Sequence, residues 1–220
     1  MAIKPIILYT HASGPNPWKV TVVLEELALP YENRWVDFAD IKKPAYEKIN
    51  INGRVPAIED PNTGITLWES AAILEYLVDQ YDTEGKLTYK TGNEKYLVSQ
   101  WLYFQMSGQG PYVGQFAWFV NYHPEKIESA VTRYKDQTLR VLSVLDRALQ
   151  GKEYLVGDKA TIADLAFVPW DALILSGFLP LGVDVAKEYP TFLAWHERIV
   201  ARPAVKRTIE AKQKASAGSH

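Results

Sequence analysis

Apolar side chains in the first 80 residues alternate between strand-like and helix-like spacing. A short β-branched run over 3–9 predicts a buried strand, and apolar positions over 17–29 recur at helical spacing. Residues 31–38 alternate as in a half-buried strand, and Pro44 suits the first turn of a short helix over 44–50. The chain therefore opens with the order β-α-β-α.

The next segments predict a hairpin followed by a helix. The runs "VPAIED" and "ITLW" flank "PNTG", a turn sequence typical of an antiparallel hairpin. Residues 69–81 then read as an amphipathic helix. The whole order, β-α-β, α, β-β-α, predicts a mixed sheet between helices, that is, an α/β domain.

Beyond the loop at 82–92 the pattern becomes helical. No convincing strand follows, and the composition shifts near residue 85 from mixed α/β to all-α. Thr161 and Asp164 have capping-box spacing before an apolar run, which favours a structural role for both. Helical spacing is found over 93–108, 124–150, 161–175 and 191–202.

Composition excludes several classes of function. Of 220 residues, 47% are hydrophobic and the net charge is −2, so no basic field favours nucleic acid or an anionic membrane surface. The most apolar region, 165–183, contains Asp171, two prolines and two glycines, which favours a buried helix over a membrane span. We expect a cytoplasmic protein that binds neither nucleic acid nor membrane.

The chain contains no cysteine and only four scattered histidines, without HxxxH or HExxH spacing. Disulfides, thiolate metal sites and an intrinsic redox pair are therefore excluded, and we expect no bound metal. Any sulfur chemistry must use a thiol from outside the chain.

Asn16 lies between two prolines in "GPNPW". From local sequence the favoured interpretation is a helix N-cap with Pro17 at the first helical position. The alternative uses the same geometry, because a carboxamide donor beside a helix N-terminus can hold an anion, including a thiolate.

Three further stretches each carry a structural and a functional interpretation. A cis bond between Val55 and Pro56 would leave the Val55 backbone available to an extended peptide, although X–Pro bonds are more often trans. Glu69 and Ser70 open a helix and complement its dipole, or they hold the carboxylate and ammonium of a ligand. The aromatic stretch 101–119 is more often core or interface than a ligand site, and it lacks the lysine of a phosphate loop.

Together these stretches resemble the cytosolic glutathione transferases over essentially the whole chain. The segments "GPNPWKVTVVLEEL", "NGRVPAIED", "WESAAILEYL" and "QWLYFQMSGQGP" are most similar to the fungal class related to the yeast nitrogen-regulation prion protein, with the bacterial nu class as neighbour. The resemblance implies a thioredoxin-like glutathione-binding domain at 1–83, a linker at 84–92 and an all-helical domain at 93–220. It also implies a homodimer.

The resemblance also implies a glutathione site. The Val55 backbone would pair with the cysteinyl unit beside a cis Pro56, and Glu69 and Ser70 would take the γ-glutamyl end. Lys42 or Lys43 would reach the glycyl carboxylate.

At the thiol end the resemblance implies Asn16 as the catalytic residue, which stabilises the thiolate. Tyr9 is interpreted as a core residue and Ser13 as a reserve candidate. The expected activity is attack of the thiolate on a hydrophobic electrophile; the alternatives are glutathione-dependent disulfide reduction or peroxidase activity, and a non-catalytic interaction protein of the same fold. Candidates for the wall of the electrophile site are Trp18, Tyr112, Phe116 and Trp118.

Overall fold

The computed structural model describes residues 2–217, which form two compact parts. One part comprises the chain up to Lys86 together with the chain from Ala201, and the other comprises Leu87–Val200. The first part holds β1 (Ile6–Thr10), α1 (Pro15–Glu26), β2 (Tyr31–Trp35), α2 (Pro44–Glu47), β3 (Ala57–Asp60), β4 (Ile65–Trp68) and α3 (Ser70–Tyr81).

The four strands form one mixed sheet in the order β2-β1-β3-β4, which confirms the predicted mixed sheet. β1 pairs in parallel with β2, and β3 pairs antiparallel with both β1 and β4. Alternate residues of β1, Ile6 and Leu8, are completely buried, as expected for a strand in the middle of a sheet.

The first helix differs from the prediction at its beginning. Helical spacing predicts a helix over 17–29 with Asn16 as its cap, whereas α1 begins at Pro15 with Gly14 in the N-cap position. The N-cap interpretation of Asn16 is therefore wrong, because Asn16 is the second residue of the helix. Pro15 takes the first position, where a missing N–H costs no hydrogen bond.

The C-terminal helix packs against the part that contains the β-sheet, whereas the sequence predicts that it belongs to the helical domain at 93–220. α10 (Pro203–Ala217) contacts α1. The Arg202 Nε and Nη2 donate to the two carboxylate oxygens of Glu26 at 2.6 and 2.8 Å, and Lys86 Nζ donates to the Glu26 carbonyl at 2.7 Å. The Glu26 side chain is only 5% exposed, so this two-pronged ion pair fixes the end of α1.

The second part consists of helices within the described residues. α7 begins at a complete capping box, in which Thr161 and Asp164 exchange hydrogen bonds as the sequence predicts. A π-helical turn at 105–109 joins α4 to α5 and turns Gln109 inward, where its Nε2 donates to Asp171 at 2.6 Å. The helices are α4 (Asn93–Phe104), α5 (Gly110–Asn121), α6 (Glu128–Ala148), α7 (Ile162–Leu175), α8 (Val185–Glu188) and α9 (Pro190–Val200).

Two absences hold for residues 2–217. No helix in that range is long and apolar enough to cross a membrane. Nor do three or more histidine, aspartate or glutamate side chains in that range gather as metal ligands would.

Asp60 ties the β3–β4 hairpin to α3. Tyr76 donates its hydroxyl to Asp60 at 2.6 Å, Tyr81 donates to the same carboxylate oxygen, and the Asn62 backbone and side chain donate to the other at 2.8 Å. Burial alone would raise the pKa of Asp60, but these hydrogen bonds outweigh it and lower the pKa below its usual value.

Replacing Asp60 tests this link. We expect Asp60→Asn to lower the free energy of unfolding by about 2 kcal/mol near pH 7, because an amide nitrogen cannot accept these hydrogen bonds. Since the Asp60 pKa is depressed, its contribution is present above the unfolded pKa of about 4 and is lost as pH falls below it. Urea unfolding from pH 7 to pH 2 measures both. Asp79→Asn, on the exposed face of α3, is the matched control and should change little; an equal loss in both variants would contradict the assignment.

Candidate functional site

Strand register brings four separate chain segments to one edge of the sheet. Ala57, the first residue of β3, pairs with both Tyr9 and Trp68, while Thr10 pairs with Trp35. The segments after β1, β2 and β4 therefore leave the sheet where the segment before β3 enters it. Those segments contain all the glutathione-binding residues that the family resemblance implies: Asn16, Lys42, Lys43, Val55, Pro56, Glu69 and Ser70.

Asn16 occupies the N-terminal turn of α1 at this edge. It is half-buried, and because Pro15 and Pro17 flank it, Asn16 is the only one of the first three helical residues with a backbone N–H. Gly14 in the N-cap position has no side chain to cover the turn. A helix start of this kind carries partial positive charge and favours an anion beside the Asn16 carboxamide.

Ser13, the reserve candidate for the thiol end, is exposed and contacts His11. The Ser13 backbone N–H donates to His11 Nδ1 at 3.2 Å, which makes that nitrogen an acceptor, and Ser13 Oγ lies 3.0 Å from the same atom. The hydroxyl hydrogen of Ser13 is thereby directed to the histidine. Burial lowers the pKa of His11, so the imidazole is neutral near pH 7. This geometry favours Asn16 over Ser13 as the donor to an anion.

Tyr9, near the end of β1, lies beside the same end of the sheet. The half-buried Tyr9 donates its hydroxyl to Glu59 at 3.3 Å, and burial followed by the Glu59 charge raises the Tyr9 pKa above its ordinary value. A tyrosine held in this way is a poor source of phenolate.

A groove of about 620 Å³ lies next to this end of the sheet. It is lined by His11–Ser13, Trp35–Asp37 and Lys214–Ser216.

The Val55–Pro56 peptide bond is cis, as the resemblance implies. Val55 is half-buried and precedes β3, so its backbone lies outside the strand ladder. The Arg54 carbonyl is held by the Tyr46 hydroxyl at 2.8 Å and by Asn50 Nδ2 at 2.6 Å. These two hydrogen bonds fix the chain just before the cis bond.

The two candidate lysines are exposed, and the ammonium group of each contacts a nearby residue. Lys42 Nζ donates to the Asn52 carbonyl at 2.7 Å, and Lys43 forms an ion pair with Asp40. Gly53 has φ +55°, and a Cβ there would lie 2.5 Å from the Ile41 carbonyl, so only glycine fits beneath Lys42. Lys42 is thus positioned by the loop that carries Val55.

Glu69 and Ser70 begin α3 at the same edge. Glu69 is exposed and has φ +74° and ψ 114°, a conformation that costs a non-glycine residue of the order of 1–3 kcal/mol. Ser70 is buried as the first residue of the helix. The strained turn directs the Glu69 carboxylate outward, beside the positive end of α3.

Lys19 is a functional candidate that the sequence analysis missed. It is 1% exposed, and its Nζ lies 3.5 Å from Ser70 Oγ. Burial lowers the Lys19 pKa to about 7, against the opposing effect of the Glu69 charge. The signal was available, because Lys19 follows Asn16 by three residues and precedes Val23 by four, on the stripe that helical spacing buries.

The predicted electrophile-site residues are buried to different degrees. In the first part, Trp18 is 2% exposed and donates its indole N–H to the Ala12 carbonyl at 2.9 Å. In the helical part, Phe116 is completely buried, Trp118 is 48% exposed, and the half-buried Tyr112 packs near Tyr134. Trp118 therefore offers the largest exposed apolar surface of the four.

Comparison with known proteins gives two family matches. The family described as "Glutathione S-transferase, N-terminal domain" matches residues 13–80, and "Glutathione S-transferase, C-terminal domain" matches residues 106–203. Together they cover most of the chain and contain every predicted glutathione-binding and electrophile-site residue named above.

Individual relatives match the whole chain. Glutathione S-transferase 1 of Schizosaccharomyces pombe is 45% identical over 221 residues, covering 94% of this chain and 96% of the relative. The structure of glutathione transferase URE2P8 from Phanerochaete chrysosporium with oxidized glutathione superposes with a TM-score of 0.93 at 46% identity, covering 98% of each chain. Ure2p5 from the same organism, cocrystallized with 1-(S-glutathionyl)-2,4-dinitrobenzene, superposes with a TM-score of 0.89 at 39% identity, covering 100% of each chain.

The strain at Glu69 gives a prediction that does not depend on any ligand. We expect Glu69→Gly to be more stable than Glu69→Ala by about 1 kcal/mol, because only glycine adopts this positive φ without strain. At Asp136, in the middle of α6, the order should reverse by about the same amount, since alanine is the better helix former. Thermal unfolding of the four variants measures both differences. Equal stability of the two Glu69 variants would show that the turn relaxes without strain.

Proposed function

Because this chain belongs to the glutathione S-transferase family, we propose that it binds glutathione at the sheet edge and conjugates its thiolate to an electrophilic organic compound. The observation that supports the proposal is the strand register, in which Ala57 pairs with both Tyr9 and Trp68, so that the segments that carry Asn16, Val55 and Ser70 leave the sheet at the same end. The Val55 backbone pairs with the cysteinyl unit. Glu69 and Ser70 hold the ammonium and carboxylate of the γ-glutamyl end.

Asn16 stabilises the thiolate in this proposal. Asparagine is not a general base at pH 7, so the thiol proton leaves to solvent and the effect of Asn16 is electrostatic. Lowering the thiol pKa by about two units requires about 2.7 kcal/mol. A charge-assisted hydrogen bond from the carboxamide and the positive end of α1 are together of that size.

The glycyl end and the electrophile are held by other residues. Lys42 is the better candidate for the glycyl carboxylate, because its ammonium is anchored to the loop before Val55, whereas Lys43 already pairs with Asp40. In the conjugation step the sulfur forms a bond to the electrophilic carbon and the leaving group departs with its electron pair. Of the four residues predicted to form the apolar wall, Trp18 and Phe116 are too buried to contact a ligand, whereas Tyr112 and Trp118 retain exposed surface and stay predictions. No metal takes part in the proposed reaction.

Disulfide reduction is the second candidate. It is supported by the relative at 46% identity that was crystallised with oxidized glutathione, itself a disulfide. The same thiolate would attack a disulfide sulfur in place of carbon, and a second glutathione would complete the reduction. Peroxidase activity would use the same thiolate. A non-catalytic interaction protein of this fold would bind no thiol in reactive form.

We further propose that the protein acts in the cytoplasm as a homodimer. Tyr96, Leu97 and Tyr103 leave a large apolar surface exposed on α4, which suits contact with a second copy.

Turnover tests Asn16 directly. We expect Asn16→Ala to lower turnover with 1-chloro-2,4-dinitrobenzene at least about tenfold and to raise the pKa of bound glutathione, read from the ultraviolet absorbance of its thiolate. Asn93→Ala, the same change at the exposed first residue of α4, is the control and should leave both unchanged. If Asn16→Ala changes only the melting temperature, the role assigned to Asn16 is wrong and Ser13→Ala becomes the next variant to measure.

Two substrates separate the candidate activities. Conjugation predicts faster glutathione-dependent turnover of 1-chloro-2,4-dinitrobenzene than of hydroxyethyl disulfide. Faster turnover of the disulfide would favour reduction, and Asn16→Ala should then slow that reaction as well, because both begin with the thiolate. No glutathione-dependent turnover of either compound would favour the non-catalytic protein.

A further inference from the structure

His11 follows β1 directly and lines the groove of about 620 Å³ beside this end of the sheet. Its imidazole stacks on the ring of Phe38, with the ring centroids 3.7 Å apart and the ring planes inclined by 17°. The Ser13 backbone N–H donates to His11 Nδ1 at 3.2 Å. The stacking and the hydrogen bond together hold the half-buried imidazole in one orientation at the groove. No part of the conjugation step described above uses this histidine.

The hydrogen bond from Ser13 determines which ring nitrogen of His11 carries the hydrogen. A backbone N–H can only donate, so Nδ1 must be the acceptor, and the hydrogen of a neutral imidazole then lies on Nε2. The Ser13 hydroxyl oxygen lies 3.0 Å from the same Nδ1. Among the described residues, His11 Nε2 contacts no hydrogen-bond acceptor. Neutral His11 therefore presents an N–H donor on the side of its ring away from Ser13.

The groove suits a small organic molecule with a polar end. Its volume lies within the range of small-molecule sites. Trp35, which is 53% exposed, supplies apolar surface, whereas His11 and Ser13 supply polar groups. Ser13 precedes Asn16 by three residues, so their Cα atoms lie within about 11 Å of each other. A molecule in the groove is therefore close enough to Asn16 to present a reacting carbon to the proposed thiolate.

We propose that His11 is a catalytic residue whose Nε2–H donates to the carbonyl oxygen of an enone, and that enones are the class of electrophile that this groove binds. The assignment rests on the proposed glutathione conjugation and names its substrate class. It requires only groups that lie in the part of the chain that contains the β-sheet.

The movement of charge during thiolate addition explains what the donor does. The sulfur forms a bond to the β-carbon of the enone, the electrons of the carbon–carbon double bond shift toward the carbonyl, and negative charge develops on the carbonyl oxygen. A donor at that oxygen stabilises the transition state more than the ground state. The α-carbon of the enolate then takes a proton from water. His11 keeps its own hydrogen, and no leaving group departs.

The environment of His11 suits a donor better than a base. Burial lowers the pKa of His11, against the opposing effect of the Asp37 charge, so the imidazole is neutral near pH 7. Its basic nitrogen, Nδ1, already accepts the Ser13 N–H and is not available to take the thiol proton. The thiol proton therefore still leaves to solvent, and His11 acts on the electrophile.

Two electrophiles test the assignment. The compound trans-4-phenyl-3-buten-2-one is an enone, whereas benzyl chloride has no oxygen and reacts by displacement of chloride. We expect His11→Phe, which keeps an aromatic ring against Phe38, to lower kcat for the enone at least about tenfold and to change kcat for benzyl chloride less than about twofold. The KM for glutathione should not change. His11→Gln, which supplies a side-chain N–H again, should restore part of the enone activity.

His123→Phe is the matched control. His123 also stacks on a phenylalanine, Phe119, and also accepts a backbone N–H at Nδ1, from Glu125 at 3.1 Å. The substitution should leave both reactions unchanged. Equal slowing of both reactions by His11→Phe would overturn the assignment, and so would an unchanged enone rate. Failure of the unsubstituted protein to conjugate either electrophile would instead refute the proposed function.

A measurement on the unsubstituted protein tests the assignment even if His11→Phe does not fold. Nuclear magnetic resonance at pH 7 should find the His11 hydrogen on Nε2. Its resonance should move downfield when the ketone adduct 4-(S-glutathionyl)-4-phenylbutan-2-one binds, and not when S-benzylglutathione binds, because the latter has no ketone oxygen. A hydrogen on Nδ1, or the same change with both ligands, would overturn the assignment.

Discussion

Antiparallel pairing of β3 with β1 on one side and β4 on the other is the constraint on which the candidate site depends. It aligns Ala57 with Tyr9 and with Trp68, so the loop after β1, the cis-proline segment and the start of α3 converge although they come from separate parts of the sequence. A shift of one residue in either pairing would turn alternate side chains to the wrong face and bury polar ones. The hydrophobic alternation in β1 therefore fixes the geometry of the site as well as the core.

Helix α1 connects this edge of the sheet to α3 and to the C-terminal helix α10, because it packs against both. Its N-terminal turn offers Asn16 to the site, its middle carries Lys19 toward Ser70, and its end is fixed by the Glu26–Arg202 ion pair. The helix is buried along most of its length, so displacement of α10 would expose apolar surface and loosen the helix that positions Asn16. Distant residues can therefore affect the thiol end without touching the ligand.

Periodicity predicted the order of strands and helices in the first 81 residues, because each segment has a clear spacing of 2.0 or 3.6 residues. The helix start at Pro15 was missed since local preference places asparagine at an N-cap, whereas two prolines and Gly14 shift the cap by two residues. The position of α10 was missed because it depends on Glu26 and Arg202, which lie 176 residues apart. Helical spacing does place Lys19 on the buried stripe of α1, but its neighbour Ser70 lies on another helix, 51 residues away in sequence.

A crystal structure with bound glutathione is the sharpest test of the proposed site, because it shows the orientation of the ligand on the sheet edge. We expect the sulfur within hydrogen-bonding distance of the Asn16 carboxamide, backbone pairing at Val55, and the α-carboxylate on the Ser70 hydroxyl. Glutathione bound in the opposite direction, or with its sulfur on Ser13 and away from Asn16, would contradict it.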